Sequence, residues 1–117
     1  MHNAKNTRLP RIKVLVLAVH TALGGLAWAL PQGATIVNGQ VSIQQTAPGS
    51  QVINASNGAI INWKQFSIGL GETTQFVQPS SASAVLNRVT GPGASLLNGA
   101  LKANGQVFLI NPSGIVI

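Results

Sequence analysis

The sequence predicts an all-β protein built as a stacked β-solenoid, and three observations support that prediction. Short apolar runs alternate with turn residues after residue 30, and no stretch shows the helical period of about 3.6 residues. The chain ends with a strand, a sharp corner and a second strand over residues 103–117. An apolar residue followed by Asn also recurs at nearly even spacing, at Val37-Asn38, Ile61-Asn62, Leu86-Asn87 and Ile110-Asn111. A fixed period of about 20 to 50 residues is typical of repeat architectures.

Candidate strands follow from the apolar runs and the turn residues that bound them. They are Gln40–Gln44, Gln51–Asn54, Ala59–Trp63, Phe66–Ile68, Thr74–Gln78, Ala84–Thr90, Leu96–Asn98, Ala100–Ala103, Gln106–Ile110 and Ile115–Ile117. Asn-Gly pairs at 38–39, 57–58, 98–99 and 104–105 separate many of these runs. Because Asn-Gly is the preferred two-residue hairpin turn, an antiparallel meander or sandwich is the alternative to the solenoid. The recurring Asn favours the solenoid, since stacked Asn amides can hydrogen-bond along a ladder.

The start of the chain, over residues 1–29, has the composition of a secretory signal peptide. A basic segment ends at Lys13, an apolar run spans positions 14–29, and Ala27-Trp28-Ala29 is an A-x-A cleavage signature. A membrane-spanning helix needs about 20 apolar residues, so the run is short for an anchor. We therefore predict a signal peptide over 1–29, cleaved between Ala29 and Leu30, with an uncleaved N-terminal anchor as the alternative.

The net charge of +6 does not predict a nucleic-acid partner. Four of the seven basic residues lie in the leader, and residues 30–117 contain only Lys64, Arg88 and Lys102 against Glu72. Phosphate recognition needs clustered Lys and Arg, which this distribution does not supply.

The composition also argues against an enzyme. Residues 30–117 contain no Cys, His, Asp or Tyr, and Glu72 is the one carboxylate. General acid–base catalysis usually needs a His or paired carboxylates, and metal sites need clusters of His, Cys, Asp or Glu. We therefore expect no catalytic residues, no metal and no cofactor, and a function in binding or assembly.

The end of the chain combines a turn with an open strand. Pro112 removes a backbone donor and Gly114 readily adopts a positive φ, so a corner is favoured between two apolar strands. The run Val107–Ile110 is apolar at every position, which predicts a strand covered on both faces. Because Ile115–Ile117 ends without a cap, we expect a truncated solenoid, with a short complete domain as the alternative.

Four segments in order resemble the two-partner-secretion (haemagglutination activity) domain found at the N-terminus of filamentous-haemagglutinin-like exoproteins. They are IINWKQFSIG (60–69), QFVQP (75–79), AVLNRV (84–89) and ANGQVFLINPSGI (103–115). The resemblance covers roughly residues 34–117. It implies a right-handed parallel β-helix with an N-terminal cap and extra-helical strands, of which residues 30–117 would form the N-terminal part.

The resemblance also implies a function and a location. The module would target a large secreted or surface adhesin or haemagglutinin for secretion and nucleate its folding. Its partner would be an outer-membrane β-barrel transporter with periplasmic recognition domains, and its route would run through the periplasm to the surface of a Gram-negative bacterium. Host-cell surfaces or glycans would be bound by downstream regions. The alternative is a stand-alone exported β-domain that binds carbohydrates or surfaces.

Two groups of candidate site residues follow. Asn111, Pro112, Gly114 and Ile115 match the family's Asn-Pro-Asn-Gly-Ile turn, in which Ser113 replaces the middle Asn, and this turn would serve transporter recognition or folding. The second group comprises candidates for packing or partner contact: Asn62, Trp63, Phe66, Asn87 and Arg88. For Trp63 and Phe66, core packing is favoured over a platform that stacks on glycans.

Overall fold

A computed structural model describes residues 29–117, which form ten β-strands and no helix. Except for Ala29, the predicted leader therefore lies outside the described residues. The strands are β1 (Thr35–Asn38), β2 (Val41–Ala47), β3 (Ser50–Ala55), β4 (Ala59–Trp63), β5 (Thr73–Val77), β6 (Ala84–Val89), β7 (Ser95–Leu96), β8 (Ala100–Ala103), β9 (Gln106–Ile110) and β10 (Ile115–Val116). Over this range, nothing in the structure is a helix of the length and hydrophobicity that crossing a membrane requires.

The strands form three sheets that the chain visits in rotation. Sheet A has the order β1-β4-β6-β9, sheet B the order β2-β3-β5-β8, and sheet C pairs β7 with β10. From β3 onward the chain passes through sheets B, A and C in turn, except that the first passage has no strand in sheet C, and we call each passage a rung. Rung 1 contains β3 and β4, rung 2 contains β5, β6 and β7, and rung 3 contains β8, β9 and β10. Strands of neighbouring rungs pair in parallel in all three sheets.

The antiparallel pairings in the described part of the chain are confined to its N-terminal strands. Strand β1 pairs with β4, and β2 pairs with β3, each antiparallel. These two strands cover one edge of sheets A and B before the parallel rungs begin. An antiparallel meander or sandwich is therefore the wrong description, because every later pairing between strands is parallel.

The Asn-Gly pairs turn the chain from one sheet to another and do not close hairpins. Asn57-Gly58 leads from β3 in sheet B to β4 in sheet A, and Asn104-Gly105 leads from β8 to β9 in the same way. The β2–β3 hairpin turns instead at Pro48-Gly49, where Gly49 has φ +76°. The corner at Asn57 is also tied to rung 2, because Oδ1 of Asn57 accepts a hydrogen bond of 3.0 Å from the N–H of Ala84.

Two strand assignments differ from the prediction. Strand β1 was not predicted, because Thr35–Asn38 is exposed at all four positions and shows no buried face in its sequence. Phe66–Ile68 was predicted as a strand and forms none; only Ile68 makes an isolated parallel bridge, to Leu97. Burial explains the false signal, since Phe66 and Ile68 are both core residues with no extended ladder around them.

The recurring Asn residues do not stack, so the predicted period is not the register of the rungs. In sheet A, Ala59 pairs with Val85 and Val85 pairs with Val107, so the first step along the chain is longer than the second. Asn87 therefore lies opposite Ile61, and Asn62 lies opposite Arg88. Because successive side chains of a strand point to opposite faces, this offset by one position places Asn62 and Asn87 on different faces of the sheet.

The core lies between the sheets. The buried apolar side chains that pack together are Ile53, Ala55, Ala59, Ile61, Trp63, Phe66, Ile68, Phe76, Val85 and Val89. Strand β9 contributes Val107 and Leu109 to the edge of this core, whereas Phe108 and Ile110 are half exposed on the outer face. The expectation that Val107–Ile110 is covered on both faces is therefore wrong for the residues described here.

Candidate functional site

The two aromatic residues predicted for packing or partner contact are both buried. Trp63 and Phe66 are each 1% exposed. Their rings meet edge to face, with centroids 5.4 Å apart and planes at 78°. Phe66 also stacks on Phe76, at 6.4 Å and 15°. Neither ring presents a face to solvent, so neither forms the platform that glycan stacking would need.

Asn87 joins three neighbouring strands inside the fold. Its side chain is fully buried on β6, and Oδ1 accepts a hydrogen bond of 2.8 Å from Nε1 of Trp63 on β4. Its Nδ2 donates a bond of 3.2 Å to the carbonyl of Phe108 on β9. One amide thus satisfies a buried indole N–H in rung 1 and contacts rung 3.

Asn62 and Arg88 form a second contact between rungs on the opposite face. Nε of Arg88 donates a hydrogen bond of 3.0 Å to Oδ1 of Asn62, and both side chains are partly exposed. Because one partner is a neutral amide, the bond leaves the positive charge of Arg88 uncompensated. Arg88 is the charged residue among the five candidates for packing or partner contact, and its side chain is partly exposed.

The predicted turn motif forms a hydrogen-bonded corner after β9. The carbonyl of Asn111 accepts a bond of 3.0 Å from the N–H of Gly114, and its Oδ1 accepts one of 2.9 Å from the N–H of Ser113. Gly114 has φ +109°, as the sequence predicts for the Gly after Asn-Pro-x. The main chain of Ser113 is therefore bonded, while its exposed side chain makes no recorded hydrogen bond within the described residues.

The same turn is attached to rung 2. Nδ2 of Asn111 donates to the carbonyl of Gly93, at 3.1 Å, and to Oγ of the buried Ser95, at 2.9 Å. The N–H of Ser95 in turn donates to the carbonyl of Gly114, and Ile115 lies opposite Ser95 in the parallel ladder of sheet C. The hydrogen bonds of the Asn111 side chain therefore hold the corner against rung 2 and place β10 beside β7.

The predicted cleavage residues lie next to the one acidic residue of the chain. Leu30 is buried, and its carbonyl accepts a hydrogen bond of 3.0 Å from Nε2 of Gln65. The N–H of Ala29 lies 3.1 Å from both Oε1 and Oε2 of Glu72, which is 3% exposed. From the sequence, Glu72 was considered only as a carboxylate without a second acidic group for catalysis. Glu72 is the single Asp or Glu among 117 residues, and this isolation was the sequence signal that could have marked it as a candidate site residue.

The sequence-predicted residues do not form one pocket. The turn at 111–115 follows β9 in rung 3, the group from Asn62 to Arg88 lies in rungs 1 and 2, and Ala29-Leu30 precedes the N-terminal strands. Within residues 29–117, no group of three or more His, Cys, Asp or Glu side chains could hold a metal ion. What unites the three places is hydrogen bonding between segments distant in the sequence.

The last rung presents unpaired strand edges. Strands β8, β9 and β10 are the terminal strands of sheets B, A and C, and the described residues provide no partner for their outer edges. Apolar side chains accompany these edges: Ile110, Val116 and Ile117 are 50%, 54% and 97% exposed. Unpaired N–H and C=O groups beside exposed apolar side chains are a template on which another strand can add.

Comparison with known proteins gives a consistent family assignment. Residues 27–117 match the family described as the TPS secretion domain. A heme/hemopexin-binding protein of Haemophilus influenzae strain Rd is 34% identical to the chain, and a second heme/hemopexin-binding protein of Haemophilus influenzae is 38% identical. Each alignment covers 92% of this chain and 12% of the relative, so the chain spans about an eighth of the length of these proteins.

A solved structure agrees with the fold as well as with the family. The crystal structure of the HMW1 secretion domain from Haemophilus influenzae superposes with a TM-score of 0.70 at 49% sequence identity. The match covers 73% of this chain and 23% of that structure. Both comparisons therefore relate this chain to a small part of a longer protein.

Proposed function

Because the chain belongs to the TPS secretion domain family, we propose that it is the secretion-targeting and fold-nucleating N-terminal module of a large exoprotein of the adhesin or haemagglutinin type. In this proposal a signal peptide cleaved between Ala29 and Leu30 directs the chain to the periplasm. A partner outer-membrane transporter with periplasmic recognition domains then binds residues 30–117 and passes the protein to the cell surface or the medium of a Gram-negative bacterium. Host-cell surfaces or glycans would be contacted by later regions.

The observation that carries the proposal is the parallel stacking of rungs behind an N-terminal edge that β1 and β2 cover. In all three sheets the strands of neighbouring rungs pair in parallel. In a solenoid each repeat contacts only its neighbours, so a folded first repeat can seed the next. Rungs that begin behind an edge covered by β1 and β2 suit the start of such propagation.

The proposal includes a right-handed parallel β-helix. The repeated passage through sheets B, A and C, with parallel pairing between rungs, supports a helical path of the backbone. Crossover connections between parallel strands of one sheet are right-handed in about 98% of cases, which supports the handedness. Strands β1 and β2 are the best candidates for the N-terminal cap.

The proposed module is not an enzyme, and it recognises no nucleic acid. Support comes from the composition of residues 30–117, which offers neither a His nor a second carboxylate and only scattered cations. No observation favours the alternative of a stand-alone carbohydrate-binding domain, because Trp63 and Phe66 are buried.

A secretion assay tests the proposal. The complete exoprotein would be produced in a Gram-negative host together with the transporter encoded beside it, and the amount in the medium would be measured by immunoblot. We expect secretion to require both the transporter and residues 30–117. Deletion of residues 30–117 with the leader retained should leave the protein in the periplasm.

A control substitution shows whether the loss of secretion requires removal of the domain or follows from any change within it. Leu70, which is 88% exposed, would be replaced by Ala in the same exoprotein, and secretion should not change. Equal secretion with and without residues 30–117 would contradict the proposal.

A further inference from the structure

Within residues 29–117, the hydrogen-bond donors to the buried carboxylate of Glu72 are all backbone amides. Its side chain is 3% exposed, and Oε1 accepts a bond of 2.7 Å from the N–H of Gly69. The remaining donor is the N–H of Ala29, 3.1 Å from each carboxylate oxygen. The turn from Gly69 to Glu72 wraps closely around the carboxylate, because a Cβ added at Gly69 would lie 2.8 Å from Oε1.

A buried carboxylate in such a site gains further stabilisation from a cation beyond what neutral amides supply. Removing an ionised carboxylate from water is costly unless it is paired, and a cation adds to the hydrogen bond a charge–charge attraction that a neutral N–H does not supply. In this chain no second acid competes for such a cation, because Glu72 is the only Asp or Glu among its 117 residues. Among residues 29–117, the position beside the carboxylate is occupied by the neutral N–H of Ala29 and by no positively charged donor.

The segment after Ala29 is held firmly beside this carboxylate. Leu30 is 3% exposed, and its carbonyl accepts the bond from Gln65 already described. The carbonyl of Pro31 accepts a bond of 3.3 Å from Nε2 of Gln51, and Gln32 forms an antiparallel bridge with Gln65. These contacts hold the carbonyls of Leu30 and Pro31 in place and keep the start of the domain close to Glu72.

We propose that Glu72 is the binding site for the α-ammonium group that signal-peptide cleavage creates on Leu30. This inference rests on the leader cleavage in the proposed function. Hydrolysis by a signal peptidase adds water across the Ala29–Leu30 peptide bond, leaving a carboxylate on Ala29 and an ammonium group on Leu30. Adjacent Cα atoms are about 3.8 Å apart. The ammonium group of Leu30 therefore needs to shift by no more than about that distance to reach the position that the N–H of Ala29 occupied before cleavage.

The proposal gives the cleavage a structural consequence. Before cleavage, Glu72 receives a neutral N–H; afterwards it receives a positively charged group with three donor hydrogens. The contact ties the N-terminus to the turn that precedes β5 in rung 2. Removal of the leader thereby strengthens the folded start of the solenoid after export has begun.

The test measures the reactivity of the terminal amine in the secreted exoprotein. Limited acetylation of the folded protein, digestion at Glu72 with a glutamate-specific protease and mass spectrometry would give the extent of reaction at Leu30. An ammonium held by a carboxylate reacts slowly, because the charged form is favoured and its hydrogens are engaged. We expect about tenfold slower acetylation of the Leu30 amine in the folded protein than in urea, as one charge-assisted bond would give.

The Glu72→Gln variant identifies the cause of the protection. Because digestion at residue 72 is lost in this variant, both proteins would also be cut with chymotrypsin, which releases the N-terminal peptide from each. The amine of the folded variant should react at nearly the rate seen in urea. Lys102→Gln, which removes an exposed cation on β8, is the matched control and should leave the reactivity of Leu30 unchanged.

Each result decides a different part of the inference. A terminus at Leu30 that reacts equally fast in the wild type and in Glu72→Gln would overturn the ammonium site and leave the proposed function standing. A secreted protein whose first residue is not Leu30 would overturn both the site and the predicted cleavage. If Glu72→Gln is not secreted, Glu72→Asp keeps the charge but withdraws it by one methylene, and protection equal to the wild type would then contradict the proposal.

Discussion

Nε1 of Trp63 donates a hydrogen bond of 2.8 Å to Oδ1 of Asn87, and both side chains are buried between the sheets. The bond runs diagonally, because Asn87 lies opposite Ile61 in the parallel ladder. It joins rung 1 to rung 2 in the middle of the core. A shift of the β4–β6 register by one residue would turn Asn87 to the outer face, so the bond selects one register.

Replacing Asn87 by Ala should strongly destabilise the domain. The substitution leaves the buried N–H of Trp63 and the carbonyl of Phe108 without their present partner. An unsatisfied buried polar group costs about 1–3 kcal/mol, so we expect the free energy of unfolding to fall by about 2–3 kcal/mol. Urea unfolding followed by fluorescence measures this directly, since Trp63 is the sole Trp between residues 30 and 117.

Asn54→Ala is the control for this experiment, because Asn54 is an exposed Asn on β3. Its free energy of unfolding should stay within about 0.5 kcal/mol of the wild type. Equal losses for the two variants would show that the Trp63–Asn87 bond has no special role.

Asn111 and Ser113 should differ sharply in their tolerance of substitution, although both belong to the same turn. Asn111→Ala removes side-chain bonds to Gly93, Ser95 and the backbone of Ser113, and should lower the free energy of unfolding by about 1–3 kcal/mol. Ser113→Asn restores the residue of the family motif at an exposed position and should change it by less than about 0.5 kcal/mol. Chemical denaturation of both variants, together with the secretion assay, measures the difference.

The corresponding secretion result separates folding from recognition. If Ser113→Asn alters the secreted amount without altering stability, the exposed side chain contacts the transporter. If only Asn111→Ala lowers secretion, in proportion to its loss of stability, the turn acts through folding.

Phe66→Ala should destabilise the core without any effect on glycan binding. Phe66 packs against Trp63 and Phe76, and loss of a buried Phe typically costs about 3–5 kcal/mol. A glycan array probed with the wild-type domain should give no signal that depends on this residue. Leu70→Ala, at an exposed position, is the control and should be neutral. Retained stability together with lost glycan binding would revive the stand-alone binding module.

Local chemistry made much of the architecture predictable from the sequence. Apolar runs bounded by Gly, Pro and Asn located most strands, and the turn at Asn111-Pro112 is present with a positive φ at Gly114. Strand β1 escaped because its four residues are exposed, and Phe66–Ile68 misled because its residues are buried without a ladder. Strand propensity largely reflects burial, and in these two segments burial and strand formation do not coincide.

Contacts between rungs were less predictable, because they depend on a register that local sequence does not encode. Rungs of unequal length place Asn87 opposite Ile61, so a search for evenly spaced Asn finds a period but not the stacking. The site at Glu72 depends on the approach of Ala29 across 43 residues of sequence. The residues next to Ala29 and Glu72 in the sequence do not predict their contact. The one sequence feature that points to the site is that Glu72 is the single acidic residue of the chain.

Gly99 should be the least replaceable of the Asn-Gly glycines, although its φ is not positive. A Cβ there would collide with the carbonyl oxygens of Gly69 and Glu72 and would lie 2.7 Å from Cγ2 of Ile68. Because two of these neighbours are backbone atoms held in the contact between rungs 2 and 3, we expect Gly99→Ala to lower the free energy of unfolding by about 3 kcal/mol or more. Gly58→Ala is the matched control, since Gly58 has φ +81° but no atom within 4 Å of the added Cβ. Its cost should be the strain of a left-handed residue alone, about 1–2 kcal/mol, and a larger loss for Gly58→Ala than for Gly99→Ala in urea unfolding would refute the packing described for these rungs.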